Sequence, residues 1–284
     1  MPRERLGILG LGLIGGSLAL ALKGKRGSPQ VWGCDRNKDC VRRALDSGAI
    51  SRACNLAELA SCDIVVVCIP VKASLSAIRF LSARMRPGSV LTDAGSVKTE
   101  IVKAGERFAK KGVSFVGGHP IAGTENSGFS AADPFLFRGR SFIMTPTSKT
   151  DAEAMQRVGR LWKLAGSKAV LRMDPKTHDR IFAYVSHLPH VAAYALVYSL
   201  GALRSPVPLG YSAGGFRDTT RIASSNPDMW RDIVMQNHKE VLRAIAQYRR
   251  TLDLLADRIA SSDAKGVKNI FARAKKNRDG LERL

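Results

Sequence analysis

The sequence predicts an α/β chain, a doubly wound sheet followed by an all-helical C-terminal domain. Three observations predict it. Short apolar runs alternate with amphipathic stretches through the first half of the chain. A glycine-rich turn joins the first apolar run to the first helical stretch. The alternation stops at Asp174, and beyond it nearly every segment fits a helical pattern. Strand–helix alternation implies a parallel sheet covered on both faces. The 284 residues suit two domains of ordinary size, divided as 1–173 and 174–284.

Taken in order, strands are expected at 6–9, 31–35, 63–69, 89–93, 114–117, 141–145 and 168–173. Amphipathic helices are expected between them, as at 38–47, 98–110 and 151–164. Asp174-Pro175 then pairs a capping residue with a first-turn proline, and Asn226-Pro227 repeats the device. The helices expected in this half cover 175–203, 211–223, 227–260 and 264–277, with a loop at 205–210 that holds two prolines. Pro189, inside the first of them, should free the carbonyl of Val185 and kink the helix.

Composition narrows the function classes. Hydrophobic residues make up 45%, enough for a core, so disorder is not the default reading. The net charge of +21 is scattered, often beside acids, and is densest from Lys265 to Arg283, where it reads as the solvated face of a helix. It implies solubility and attraction of anionic ligands rather than a specific nucleic-acid partner. The apolar run 6–22 superficially resembles a signal peptide, but glycines at 7, 10, 12, 15 and 16 interrupt it. No other stretch reads as a membrane span. The five cysteines, at 34, 40, 54, 62 and 68, form no CxxC pair. That fits neither a disulfide framework nor a zinc site and suits reduced thiols in a cytoplasmic protein. No metal and no membrane partner is expected.

Gly10-Leu11-Gly12-Leu13-Ile14-Gly15 follows the first strand and opens the first helix, and a second strand ends at Asp35, twenty residues past Gly15. This is the context of a Rossmann-type dinucleotide site. Gly10 permits the tight turn, Gly12 lets the backbone approach pyrophosphate, and Gly15 lets helix and strand pack closely. The helix N-terminus offers free N–H groups to phosphate. Asp35 would accept the adenosine ribose hydroxyls and repel a 2′-phosphate, favouring NAD; the adjacent Arg36 would suit NADP. Leu13, Ile14 and Pro70 complete the expected cofactor contacts.

Four further motifs follow in order: Thr92-Asp93-Ala94-Gly95-Ser96-Val97-Lys98; Gly117-Gly118-His119-Pro120-Ile121-Ala122-Gly123-Thr124-Glu125; Ser186-His187-Leu188-Pro189-His190; and Gly214-Gly215-Phe216-Arg217-Asp218-Thr219-Thr220-Arg221 with Met229-Trp230. Together with the glycine turn they resemble the prephenate/arogenate dehydrogenase family of tyrosine biosynthesis, over almost the whole chain. Neither a fused chorismate mutase nor an ACT domain is read in it. The resemblance implies an NAD(P)-binding Rossmann domain and a helical domain for substrate binding and dimerisation. It implies oxidative decarboxylation of a cyclohexadienol dicarboxylate without a metal: hydride goes to the nicotinamide, CO2 leaves, and the ring becomes a phenol.

In that reading His119 is the base for the substrate hydroxyl. Ser96 bonds the same hydroxyl or the histidine, and it equally suits a helix N-cap before Val97-Lys98. Arg221 binds a substrate carboxylate, for which a guanidinium fork is well shaped; the competing reading is a surface pair with Asp218. His190 lies near the substrate side chain and the nicotinamide, and Ser186 is a further substrate-binding residue. His187 shares their helical face. Glu125, Gly214, Asp218 and Trp230 frame the site, Trp230 from a partner subunit or else as a core residue of its own chain. Prephenate and arogenate, which differ in a keto oxygen against an amino group, are left open as substrates. A β-hydroxyacid dehydrogenase would need a catalytic lysine on the first helix of the second domain, where Lys176 stands near the start and His187 and His190 follow. A dinucleotide sensor without turnover is the alternative from another class.

Overall fold

Leu6 and Ile8 point to one side of the first strand and Leu9 to the other, and all three are buried. That double burial is repeated along the sheet. In this computed structural model, which describes residues 4–202 and 211–281, the chain forms two compact units, Met1–Asn237 and His238–Leu284.

The first unit runs β1 (Arg5–Leu9), α1 (Leu13–Leu22), β2 (Gln30–Cys34), α2 (Lys38–Asp46), β3 (Arg52–Ala53), α3 (Leu56–Leu59), β4 (Ile64–Val67), α4 (Val71–Ser82), β5 (Val90–Asp93), α5 (Thr99–Phe108) and β6 (Ser114–Val116). Then come β7 (Gly118–Pro120), β8 (Ser141–Met144), α6 (Ala152–Ala165) and β9 (Ala169–Arg172). The six strands β1–β6 pair in parallel in the order β3-β2-β1-β4-β5-β6. Ile64 and Val66 enter one core with α1 and α6, where Trp162 stacks on Phe142 at 4.4 Å. Val65 and Val67 enter the other with α4 and α5. A parallel sheet with both faces covered needs such continuous apolar strands.

The strands expected at 141–145 and 168–173 form, but not in the large sheet. β8 and β9 build a separate three-stranded sheet with β7, and β7 runs antiparallel to β8. β7 itself, which carries His119, lies just past the end of the strand expected at 114–117. Gly117 breaks the two apart.

The helical part begins with α7 (Pro175–Phe182), capped by the Asp174 carboxylate, which accepts the Lys176 and Thr177 N–H groups. A π-helical segment, Ala183–His187, passes into α8 (Leu188–Ser199). Pro189 sits in the first turn of α8, where its missing N–H costs little. The expected kink is thus absorbed by a wider turn, in which the Leu188 N–H donates to the Ala183 carbonyl. Contrary to the expectation above, Pro175–Ser199 is long and apolar enough to cross a membrane by length and composition; here His178, Asp179 and His187 on it are buried within the chain's own unit. The loop at 205–210 lies outside the described residues. α9 (Gly214–Thr220), a 3-10 turn (Arg221–Ser224) and α10 (Pro227–Gln236) complete the unit.

The single helix expected over 227–260 is two. Asn237 ends α10 because its amide turns inward, donating to the Asp179 carbonyl (2.8 Å) and to His187 Nδ1 (3.1 Å). The second unit is a helical pair, α11 (His238–Ala260) and α12 (Ala264–Leu281), the latter extending past the expected 277. All five cysteines are unpaired.

Candidate active site

Strand order reverses between β1 and β4, and in open α/β sheets ligands bind outside the carboxyl ends of the strands at such a point. The glycine turn lies there. Gly10 has φ +93°, and its N–H donates to the Cys34 carbonyl at 2.8 Å. A Cβ on Gly15 would overlap the Gly10 carbonyl, whereas one on Gly12 would meet nothing within 4 Å. Gly12 also N-caps α1 without any side-chain bond, so the helix presents Leu13 and Ile14 at an uncapped N-terminus. Open space at Gly12 above an uncapped helix fits a pyrophosphate. The Asp35 carboxylate is aimed at the turn by the Leu11 N–H (2.6 Å) and held by the Asn37 N–H (2.7 Å). Arg36 is exposed beside it, and Pro70 is exposed at the start of α4, past the end of β4.

β5 and β7 supply the next part. Asp93, the last residue of β5, is paired in the core with Lys98, both side chains almost wholly buried. Asp93 accepts the Gly118 N–H at 3.1 Å, and the Lys98 ammonium donates to the Gly118 carbonyl at 2.7 Å. A Cβ at Gly118 would overlap the Phe142 ring and approach the Asp93 carbonyl to 2.6 Å. The Gly-Gly before the histidine therefore lets β7 pass close over β5. This seats His119, half-buried, against Phe182 (ring centroids 4.8 Å) and His178.

His119 Nδ1 lies 2.8 Å from His178 Nε2, and His178 Nδ1 lies 2.9 Å from Asp179 Oδ1. Asp179 also accepts the main-chain N–H groups of Lys98 and Thr99, each at 2.8 Å, closing the N-terminus of α5. Ser96 is therefore not the cap of that helix, which begins at Thr99; it stays half-buried in the β5–α5 loop. Burial, with the neighbouring His178, Lys98 and His187, holds the His119 imidazole well below its ordinary pKa and hence neutral. Sequence reasoning missed His178, Asp179 and the Asp93–Lys98 pair. A His-Asp doublet ahead of the His-x-x-His motif was the available signal.

The helical part brings a third group. The Arg221 guanidinium bonds Glu125, six residues beyond His119, at 2.7 Å, and not Asp218. It is close enough to oppose protonation of His190. His190 stacks on Trp230 with centroids 3.4 Å apart, and its Nδ1 donates to the Ser186 carbonyl at 3.0 Å. Trp230 is buried in its own chain among the residues that pack on α4.

His187 is corrected. It is fully buried, takes the Asn237 amide at Nδ1, and sits with Nε2 against the Ser96 main chain without a hydrogen bond of normal geometry. Burial drives its pKa to about 4. It is part of the scaffold, on the inner side of the helix that turns His190 outward. Gly214 and Asp218 lie one turn apart on α9, both exposed, and neither is bonded to Arg221. Lys176 is exposed at the start of α7, away from the buried His178–Asp179 pair.

Residues 18–171 match the model of the prephenate dehydrogenase nucleotide-binding domain, and residues 174–273 that of the prephenate dehydrogenase dimerization domain. The chain belongs to the prephenate dehydrogenase family. It is 34% identical to prephenate dehydrogenase of Bacillus subtilis, over 98% of this chain and 76% of that one. It is 32% identical to cyclohexadienyl dehydrogenase of Zymomonas mobilis, over 98% and 96%. Prephenate dehydrogenase of Aquifex aeolicus, solved with hydroxyphenyl propionate and NAD+, superposes with a TM-score of 0.91 at 36% identity, over 99% of both chains. As a family member the chain is an NAD(P)-dependent oxidoreductase, with the Rossmann-type sheet and helical C-terminal part expected from its sequence.

Proposed function

We propose that this enzyme oxidises and decarboxylates prephenate, with NAD as hydride acceptor, to give 4-hydroxyphenylpyruvate and CO2. The observation that carries the reading is the Arg221–Glu125 pair, which brings a guanidinium from the helical part to the loop leaving His119. In this reading a base and a carboxylate clamp share one site.

NAD, held at the glycine turn and Asp35, would supply the acceptor for the hydride that leaves the carbinol carbon. Neutral His119 takes the hydroxyl proton as that hydride leaves, and the ring ketone forms. The ring carboxylate departs as CO2, its electron pair enters the ring, and the proton held on His119 returns to the oxygen, which is now phenolic. Arg221 holds a carboxylate through charge-assisted bonds, exchanging Glu125 for substrate. Ser96, on the β5–α5 loop, bonds the reacting oxygen. His190, stacked on Trp230, lines the side-chain end with Ser186; Gly214 and Asp218 border it from α9. Gly10, Gly12, Leu13, Ile14 and Gly15 would hold the pyrophosphate and Asp35 the ribose, with Pro70 and Arg36 completing the cofactor contacts.

The likeness to a cyclohexadienyl dehydrogenase favours arogenate as a second substrate. Initial rates with prephenate and with arogenate, each with NAD and NADP, test the assignment. NAD reduction with prephenate is expected to be the fastest, and no reduction with either substrate refutes it. The division near residue 173 separates cofactor-binding from substrate-binding parts. A homodimer through the helices beyond it is supported by the dimerization-domain match and by exposed Val185, Leu196, Val197 and Tyr198. Five unpaired thiols support a cytoplasmic location.

A further inference from the structure

We infer that His178 and Asp179 are positioning residues for the base: they fix His119 in the Nδ1–H tautomer and hold its Nε2 as the lone-pair atom. The inference rests on His119 being the base, as proposed above.

One row of hydrogen bonds, from Asp179 through His178 to His119, sets the tautomer. Asp179 receives two main-chain N–H groups, one on each oxygen, from Lys98 and Thr99. Burial alone would raise its pKa, but these bonds and the one from His178 outweigh it, so the group stays ionised. An ionised carboxylate only accepts hydrogen bonds, so the 2.9 Å contact requires a proton on His178 Nδ1. A neutral imidazole has one N–H. Burial and the nearby Lys98 ammonium hold His178 neutral although Asp179 favours its charged form. Its Nε2 is then a lone pair, and the 2.8 Å contact with His119 Nδ1 requires the donor to be on His119. That leaves His119 Nε2 unprotonated.

The groups facing His119 are His178 from α7, Lys98 from the β5–α5 loop and His187 from the π segment. None is an anion, and Asp93 is paired with Lys98. When Nε2 takes the substrate proton, the new imidazolium already donates through Nδ1 to a histidine anchored on Asp179. That carboxylate is the anion at the end of the row. Nε2 is left for the substrate hydroxyl.

The test uses the whole enzyme. The sequence has five histidines, so 15N-histidine labelling and long-range 1H–15N spectra resolve each ring. At pH 7 the wild-type protein is expected to show His119 protonated at Nδ1 and bare at Nε2; the reverse tautomer overturns the inference, whatever the enzyme turns over. His178→Phe keeps a ring against Phe182 but offers His119 no acceptor. Both His119 tautomers should then appear, and kcat with prephenate and NAD should fall about tenfold to a hundredfold, part of the ~10²–10⁴ a placed base supplies. KM for both should stay within about twofold, since no binding group is lost. Unchanged kcat, or a loss confined to KM, overturns it. If the wild-type enzyme does not reduce NAD with prephenate, the assigned reaction fails while the tautomer result still stands or falls by itself.

Discussion

Replacing His187 by glutamine separates scaffold from ligand at the Ser-His-x-x-His motif. His187 is fully buried, and burial takes its pKa from an ordinary ~6.5 to about 4 in the folded chain. Asp179 opposes that depression, while His178 and His190 reinforce it. In the unfolded chain the same ring binds a proton below about 6.5. Between the two values the unfolded state holds more protons, so stability rises with pH there. The contribution is present in full above pH ~6.5 and is lost as pH falls toward 4. At about 1.4 kcal/mol per pH unit, the full loss is about 3 kcal/mol.

Glutamine does not titrate, and its carbonyl can still accept the Asn237 amide. Urea unfolding of both proteins at pH 7.5 and 4.5 isolates the term, because the other histidines and the carboxylates are common to both. The variant should lose about 2–3 kcal/mol less than wild type over that interval, the greater part of the linkage just worked out. KM for prephenate at pH 7.5 should be nearly unchanged. Equal losses in the two proteins, or a KM rise of tenfold with unchanged stability, would show that His187 reaches the substrate and that its burial is misjudged.

Four other outcomes are expected. His119→Asn should lower kcat by about 10²–10⁴ while NAD binding, measured by calorimetry, is retained; near-normal turnover would remove the base. Arg221→Ala should raise KM for prephenate by about tenfold to a hundredfold, the worth of charge-assisted hydrogen bonds at ~1.5–3 kcal/mol, with a smaller effect on kcat. Asp35→Ser removes the carboxylate that the Leu11 and Asn37 N–H groups position, and should weaken NAD while improving NADP in steady-state rates. Gly118→Ala, which forces a methyl group against Phe142 and the Asp93 carbonyl, should cost about 1–3 kcal/mol of stability, read as a lower urea midpoint.

The parts legible in the sequence are those whose physics is local. Gly10, Gly12, Gly15 and Asp35 sit within one strand–helix–strand unit, so spacing alone puts the glycine turn and the carboxylate at the same end of the sheet. Asp174 and Asn226 announce their helices because a cap is satisfied within three residues. The parts that were not legible depend on contacts between distant segments. Asp179 caps α5 from 80 residues away, a role that removes Ser96 from the cap. β7 is three residues long and exists because β8 pairs with it, so no periodicity could reveal it. Asn237 breaks a continuous helical pattern to satisfy a carbonyl and a histidine that only the fold brings near.

The wider turn at Ala183–His187 sets an angle. Each residue of an α-helix advances the side chains by about 100°, so a single residue removed there would swing all of α8 by roughly that amount. His190 would leave the face of Trp230, and Tyr194 would lose the Ser225 carbonyl it now holds at 2.6 Å. The surplus residue thus works like a notch in a dial: it lets one rod aim His178 at the cofactor-binding half and His190 at the arginine, two bearings that an unbroken helix of this length would not provide together.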